Sequence, residues 1–95
     1  MHPTEGVTGP QGQNKITISV IYNGVEKPLD VNKHESIKAV LEAAIKLFPV
    51  TEQRHLLALF DLQGRELTDE NQSVEGAGLK TGSRVVLRQS AVKGG

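Results

Sequence analysis

Apolar and polar residues alternate from Lys15 onward: Ile16, Ile18, Val20 and Tyr22 fall on one side, Lys15, Thr17, Ser19 and Ile21 on the other. A period of two predicts a strand with one buried face. Asn23-Gly24 follows, a pair that tolerates the positive φ angles of a type I′ hairpin turn. The return strand, Val25 to Val31, puts Leu29 and Val31 on one face. Pro28 lies inside it and lacks an N–H for the ladder, so this strand should be an edge. The period then changes. Ile37, Val40, Leu41, Ala44, Ile45 and Phe48 form one apolar stripe at helical spacing, with Lys38, Glu42 and Lys46 on the other side. Either Ser36 caps the first turn directly, or Asn32 does so with Glu35 three residues on. Pro49 stops the helix by driving the residue before it out of the α region.

His55 to Phe60 (HLLALF) reads as a third strand, and Asp61-Leu62-Gln63-Gly64 as a turn with Gly64 at the left-handed bulge position. In that loop Asp61 faces Arg65 and Leu59 faces Leu67. Opposed residues share a face, so Leu57, Leu59 and Leu67 should point inward and Leu56, Ala58 and Phe60 outward. Residues 68–82 are polar and Gly-rich, with Val74 and Leu79 as anchors. A last strand, Ser83 to Arg88, buries Val85 and Leu87 and turns Val86 out between Arg84 and Arg88. Periodicity is absent at both ends. Residues 1–14 hold three Gly and two Pro, and are expected to be a disordered arm; residues 89–95 are expected to be a flexible tail ending in Gly94-Gly95. The compact domain is then 15–88. Strand pair, helix and later strands in this order predict an α+β fold, a mixed sheet of four to five strands with one helix across one face.

Composition narrows the function. Eleven Lys+Arg balance eleven Asp+Glu, so no global field draws the chain to nucleic acid or to an anionic membrane. The absence of cysteine excludes a disulfide framework, a thiolate metal site and a cysteine nucleophile. No apolar run approaches the roughly 18–20 residues that span a bilayer, and the first residues lack a signal-peptide pattern, so a cytoplasmic monomer is expected. His2, His34 and His55 are scattered without metal-site spacing, and Gly76-Ala77-Gly78 lacks the lysine and helix of a phosphate loop. No acid–base pair stands out, no bound cofactor is indicated, and the chain does not read as an enzyme.

Two features remain. Gly94-Gly95 ends the chain, and Leu56, Ala58, Phe60 and Val86 are expected to make an exposed apolar patch on the sheet face away from the helix, a candidate partner site.

The order of elements resembles ubiquitin. Gly64-Arg65-Glu66-Leu67 looks like ubiquitin's turn with its Gly-Lys-Gln-Leu, residues Leu79 to Leu87 (LKTGSRVVL) resemble the loop feeding its final strand, and Gly94-Gly95 matches the family's mature end. The resemblance covers about residues 15–95 and implies a ubiquitin-like β-grasp modifier. Its Gly95 would be adenylated at the expense of ATP, carried as a thioester by cysteine enzymes and joined to lysine amines, with Gly94 as its slender neighbour. Lys93, Val92 and Arg88 would dock the tail. The implied partners are an activating enzyme, a cysteine conjugating enzyme, a deconjugating protease and target-protein lysines. Ubiquitin's sheet face binding receptors and enzymes corresponds to the patch above. A glycine terminus suits the chemistry, being ionised at neutral pH and leaving its carbonyl unshielded. Where ubiquitin's tail interleaves arginines this chain has Gln89-Ser90-Ala91-Val92-Lys93, which implies a different activating enzyme; Arg65 stands in place of a chain-forming lysine. This divergence suits a prokaryotic ubiquitin-like system. The same fold and end also serve sulfur carriers, which finish as a thiocarboxylate, and a purely non-covalent ubiquitin-like binding module is the third reading.

Overall fold

The computed structural model describes residues 14–50 and 53–93. Strands β1 (Lys15–Tyr22) and β2 (Val25–Asn32) form a hairpin in which Lys15 pairs with Asn32 and Tyr22 with Val25. Asn23 and Gly24 both take positive φ, 52° and 80°, which gives the turn its primed geometry. Helix α1 (Ile37–Leu47) follows, then a 3₁₀ turn (Arg54–Leu56), β3 (Leu57–Phe60) and β4 (Arg84–Gln89). The sheet order is β2-β1-β4-β3, with β1 and β4 parallel and the other pairs antiparallel. β2 is an edge, as Pro28 requires.

The first-turn amides of α1 are all satisfied, which fixes the helix against the chain before and after it. Ser36 is the N-cap, its hydroxyl accepting from the Ala39 amide at 3.1 Å. Carbonyls of Gln72 and Glu70 accept from Ile37 and Lys38, each at 2.9 Å, and the Ser36 carbonyl from Val40 at 3.1 Å. Asn32 and Glu35 serve the turn before the helix: the Asn32 carboxamide accepts from the His34 amide, and the Glu35 carboxylate from the Asn32 amide. At the other end Lys27 donates to the Leu47 carbonyl at 3.0 Å and lies over the Phe48 ring.

The stripe of α1 packs on the inward face of the sheet. Ile37, Val40, Leu41, Ala44, Ile45 and Phe48 are buried with Ile18, Val20, Val31, Leu57, Leu59, Val85 and Leu87 in one core. Val74 closes it from the loop, fully buried, and Leu67, Leu79 and Leu29 pack against its edges. The turn after β3 has its expected register: the Asp61 amide donates to the Arg65 carbonyl and the Leu67 amide to the Leu59 carbonyl, each at 2.9 Å.

Two expectations need correction. The third strand is shorter than HLLALF, because Arg54 to Leu56 turn as a 3₁₀ helix, so Leu56 is not a strand residue. The last strand runs one residue further, to Gln89. Beyond it, within the segment expected to be a flexible tail, Ser90 is buried and residues 91–93 form a turn that contacts the domain. The expected arm lies outside the described residues except for Asn14, whose carbonyl accepts from the Lys33 amide at 2.7 Å.

Candidate functional site

The outward patch does not exist as an exposed surface. Ala58 and Phe60 are only 0% and 3% exposed, although neither belongs to the core under α1. Leu56 and Val86 are half-buried. The register explains the Phe60 ring's cover. Arg88 pairs with Ala58, and Phe60 with Val86, so Arg88 is the diagonal neighbour of Phe60 on the outer face, within reach of a long side chain. Its guanidinium lies 4.0 Å from the ring centroid, where the ring's negative face attracts it. Further across this face Arg84 grips the Glu26 carboxylate at 2.9 and 3.3 Å, and Thr17 donates to Asp30 at 2.7 Å. The hydrogen bonds from Arg84 hold the Glu26 carboxyl below its ordinary range.

The residues expected to dock the tail lie in two places. Arg88 is committed to Phe60 on the outer face. Val92 is 61% exposed, and Lys93 is turned back on the domain. Gly94 and Gly95 lie outside the described residues.

A polar clasp holds the segment leading to them. The Ser90 amide extends the β3–β4 ladder by donating to the Leu56 carbonyl at 2.7 Å. The Ser90 hydroxyl donates to the Glu66 carboxylate and accepts from the amides of Val92 and Lys93 at 3.0 and 2.9 Å. The second oxygen of Glu66 accepts from the Ala91 amide at 2.8 Å. The Lys93 ammonium donates to the Leu57 carbonyl at 2.9 Å and pairs with Glu70. Sequence reading missed Ser90, Glu66 and Glu70. A serine followed by two free amides is a local turn signal. The two glutamates are distant in sequence and carry none.

Lys93 also forms one wall of a groove of about 560 Å³ between α1 and the 3₁₀ turn. Leu41 and Ile45 line it from the helix, flanked by Lys38, Glu42 and Lys46, with Arg54 and His55 opposite. His34 sits apart, exposed in the turn before α1, and no cluster of three metal-ligating side chains occurs among the described residues. No helix among them is long and apolar enough to cross a membrane.

No protein-family model and no curated protein matches the chain. Solved structures do. The ubiquitin-like domain of an Arabidopsis thaliana protein aligns with a TM-score of 0.67 at 16% identity, over 83% of this chain and 81% of that one. The EccD5 ubiquitin-like domain from Mycobacterium xenopi gives 0.69 at 16%, over 80% and 94%. The ubiquitin of Caldiarchaeum subterraneum gives 0.62 at 24%, over 82% and 96%. The chain therefore has the ubiquitin-like β-grasp fold, an α+β sheet gripping one helix.

Proposed function

We propose that this chain is a ubiquitin-like protein modifier that is activated at Gly95. One observation carries the reading: Gly94-Gly95 follows the last strand of a ubiquitin-like fold by only a short segment. A Gly95 carboxylate oxygen attacks the α-phosphate of ATP, forming the acyl-adenylate and releasing pyrophosphate. A cysteine thiolate of the activating enzyme then attacks the carbonyl carbon and AMP leaves. After exchange onto a conjugating enzyme's thiolate, a lysine amine of the target attacks, the thiolate departs and the amine loses a proton. Each step leaves the domain unchanged and places no catalytic group on it, so the chain is a substrate and not an enzyme. ATP belongs to the activating enzyme, and no cofactor is held here. A deconjugating protease would reverse the last bond by hydrolysis. Glycine at both positions keeps side chains away from the reacting carbonyl.

The clasp favours a second reading, a non-covalent binding domain. It engages residues 90–93 with the body, and the plant and mycobacterial neighbours are themselves described as domains. Incubation with ATP and a candidate activating enzyme, followed by intact-mass and peptide analysis, separates the cases. An amide between Gly95 and a target lysine supports the modifier. Exchange of one carboxylate oxygen for sulfur assigns a sulfur carrier instead. Deleting Gly94 and Gly95 should abolish the enzyme-linked thioester without altering stability; full cellular function after that deletion leaves the non-covalent domain.

A further inference from the structure

The groove beside α1 combines an apolar floor with an excess of positive charge around it. Leu41 and Ile45 contribute its floor and are themselves packed into the core. Lys38, Lys46 and Arg54 stand around it, and their side chains make no hydrogen bond or ion pair to any described residue. Glu70, one of two carboxylates among the described lining residues, is already paired with Lys93. Among the described lining residues Glu42 is then the one carboxylate left to oppose these three cations, in a chain whose total charge is zero. The outer sheet face offers no comparable surface, since Arg88 covers Phe60 and Arg84 is paired with Glu26.

We propose that this groove receives an acidic segment of a partner protein, with aliphatic side chains set on Leu41 and Ile45 and carboxylates meeting Lys38, Lys46 and Arg54. An excess of positive charge around a low-dielectric floor concentrates an anionic partner and orients it. Among its described lining residues the groove has one ring, the His55 imidazole, and no Phe, Tyr or Trp to build a series of stacking platforms, which favours a peptide over a single-stranded nucleic acid. Lys93 is in its wall, so a partner seated here lies beside the segment that leads to Gly94-Gly95. The assignment stands whether or not Gly95 is conjugated.

The test is titration of the full chain, isotope-labelled, with a short unstructured peptide of leucine and aspartate, followed by backbone chemical shifts. Saturable shifts at Leu41, Ile45, Arg54 and His55 are expected, weakening as salt is raised. Arg54→Glu combined with Lys38→Glu should lower affinity on the order of tenfold or more. Both positions are exposed, so the thermal midpoint should hold; Arg54→Gln is the milder variant if it does not. A peptide with lysine in place of aspartate should not bind. Shifts confined to the outer sheet face, or equal affinity in the charge-reversed protein, overturn the proposal. So does tighter binding of a single-stranded oligonucleotide at the same residues. Sedimentation showing a dimer closed through the groove reassigns the surface to a second copy of this chain and overturns it too.

Discussion

The two faces of the sheet exclude water by different means. The inward face is sealed by a helix, whose aliphatic stripe interlocks with alternate residues of all four strands. No described helix lies over the outward face, yet Ala58 and Phe60 are as deeply buried as residues of the core. There the described cover over Phe60 includes the Arg88 guanidinium, with Val86 opposite the ring and the Arg84–Glu26 and Thr17–Asp30 pairs further across. The contrast teaches that an apolar residue pointing away from a core is not thereby exposed. A long cation at the diagonal position can lay its planar guanidinium over a ring, where the ring's negative face attracts it.

The largest break in this contrast should come from the inner face. Leu41→Ala or Ile45→Ala should destabilise by roughly 2–5 kcal/mol in denaturant titration, since a buried aliphatic chain leaves a cavity. Phe60→Ala should come next, at about 1.5–3 kcal/mol, because the ring is buried although outside the core. A loss comparable to Lys38→Ala, within about 0.5 kcal/mol, would mean that the outer face is dispensable to the fold. Arg88→Ala should cost less than Phe60→Ala, about 0.5–1 kcal/mol, and should move the Phe60 ring-proton shifts.

The smallest effect belongs to Glu26. Its carboxyl is lowered below 4.5 chiefly by the hydrogen bonds from Arg84, with Ser19 adding to this. A depressed folded value means the contribution is present above about pH 4.5 and is lost as pH falls through the folded value. Arg84→Ala should return the Glu26 titration, followed by NMR, toward 4.5. Because both groups are exposed, the melting temperature should barely move.

Much of the fold was legible because its signals are local. Asn23-Gly24 specified a turn, Pro28 an edge, the spacing from Ile37 to Phe48 a helix and its buried side, and Gly64 the bulge. Leu59 and Leu67 were correctly opposed because the loop between them is short enough to fix register. The exposure of Phe60 was misread because strand alternation tells which face a residue joins, not what lies over that face. Arg88 is 28 positions along the chain, and its approach depends on β3–β4 pairing. The same reason hid the clasp: Glu66 and Ser90 meet only after β4 is placed beside β3. Leu56 was assigned to a strand because a run of apolar residues cannot by itself mark where a 3₁₀ turn ends.

The parallel pairing of β1 and β4 has a mechanical consequence. β1 opens the sheet and β4 closes it, and they run side by side through Ser19–Arg84, Val20–Val85 and Ile21–Val86. A force drawing Lys15 and Gln89 apart slides one strand along the other, so the bonds between them share the load and must rupture together. The same force applied across the β1–β2 hairpin, at its open end, parts the bonds one after another from Lys15–Asn32 inward. Resistance to pulling in this domain is thus a property of direction: high along the axis joining its ends, low across the hairpin that begins it.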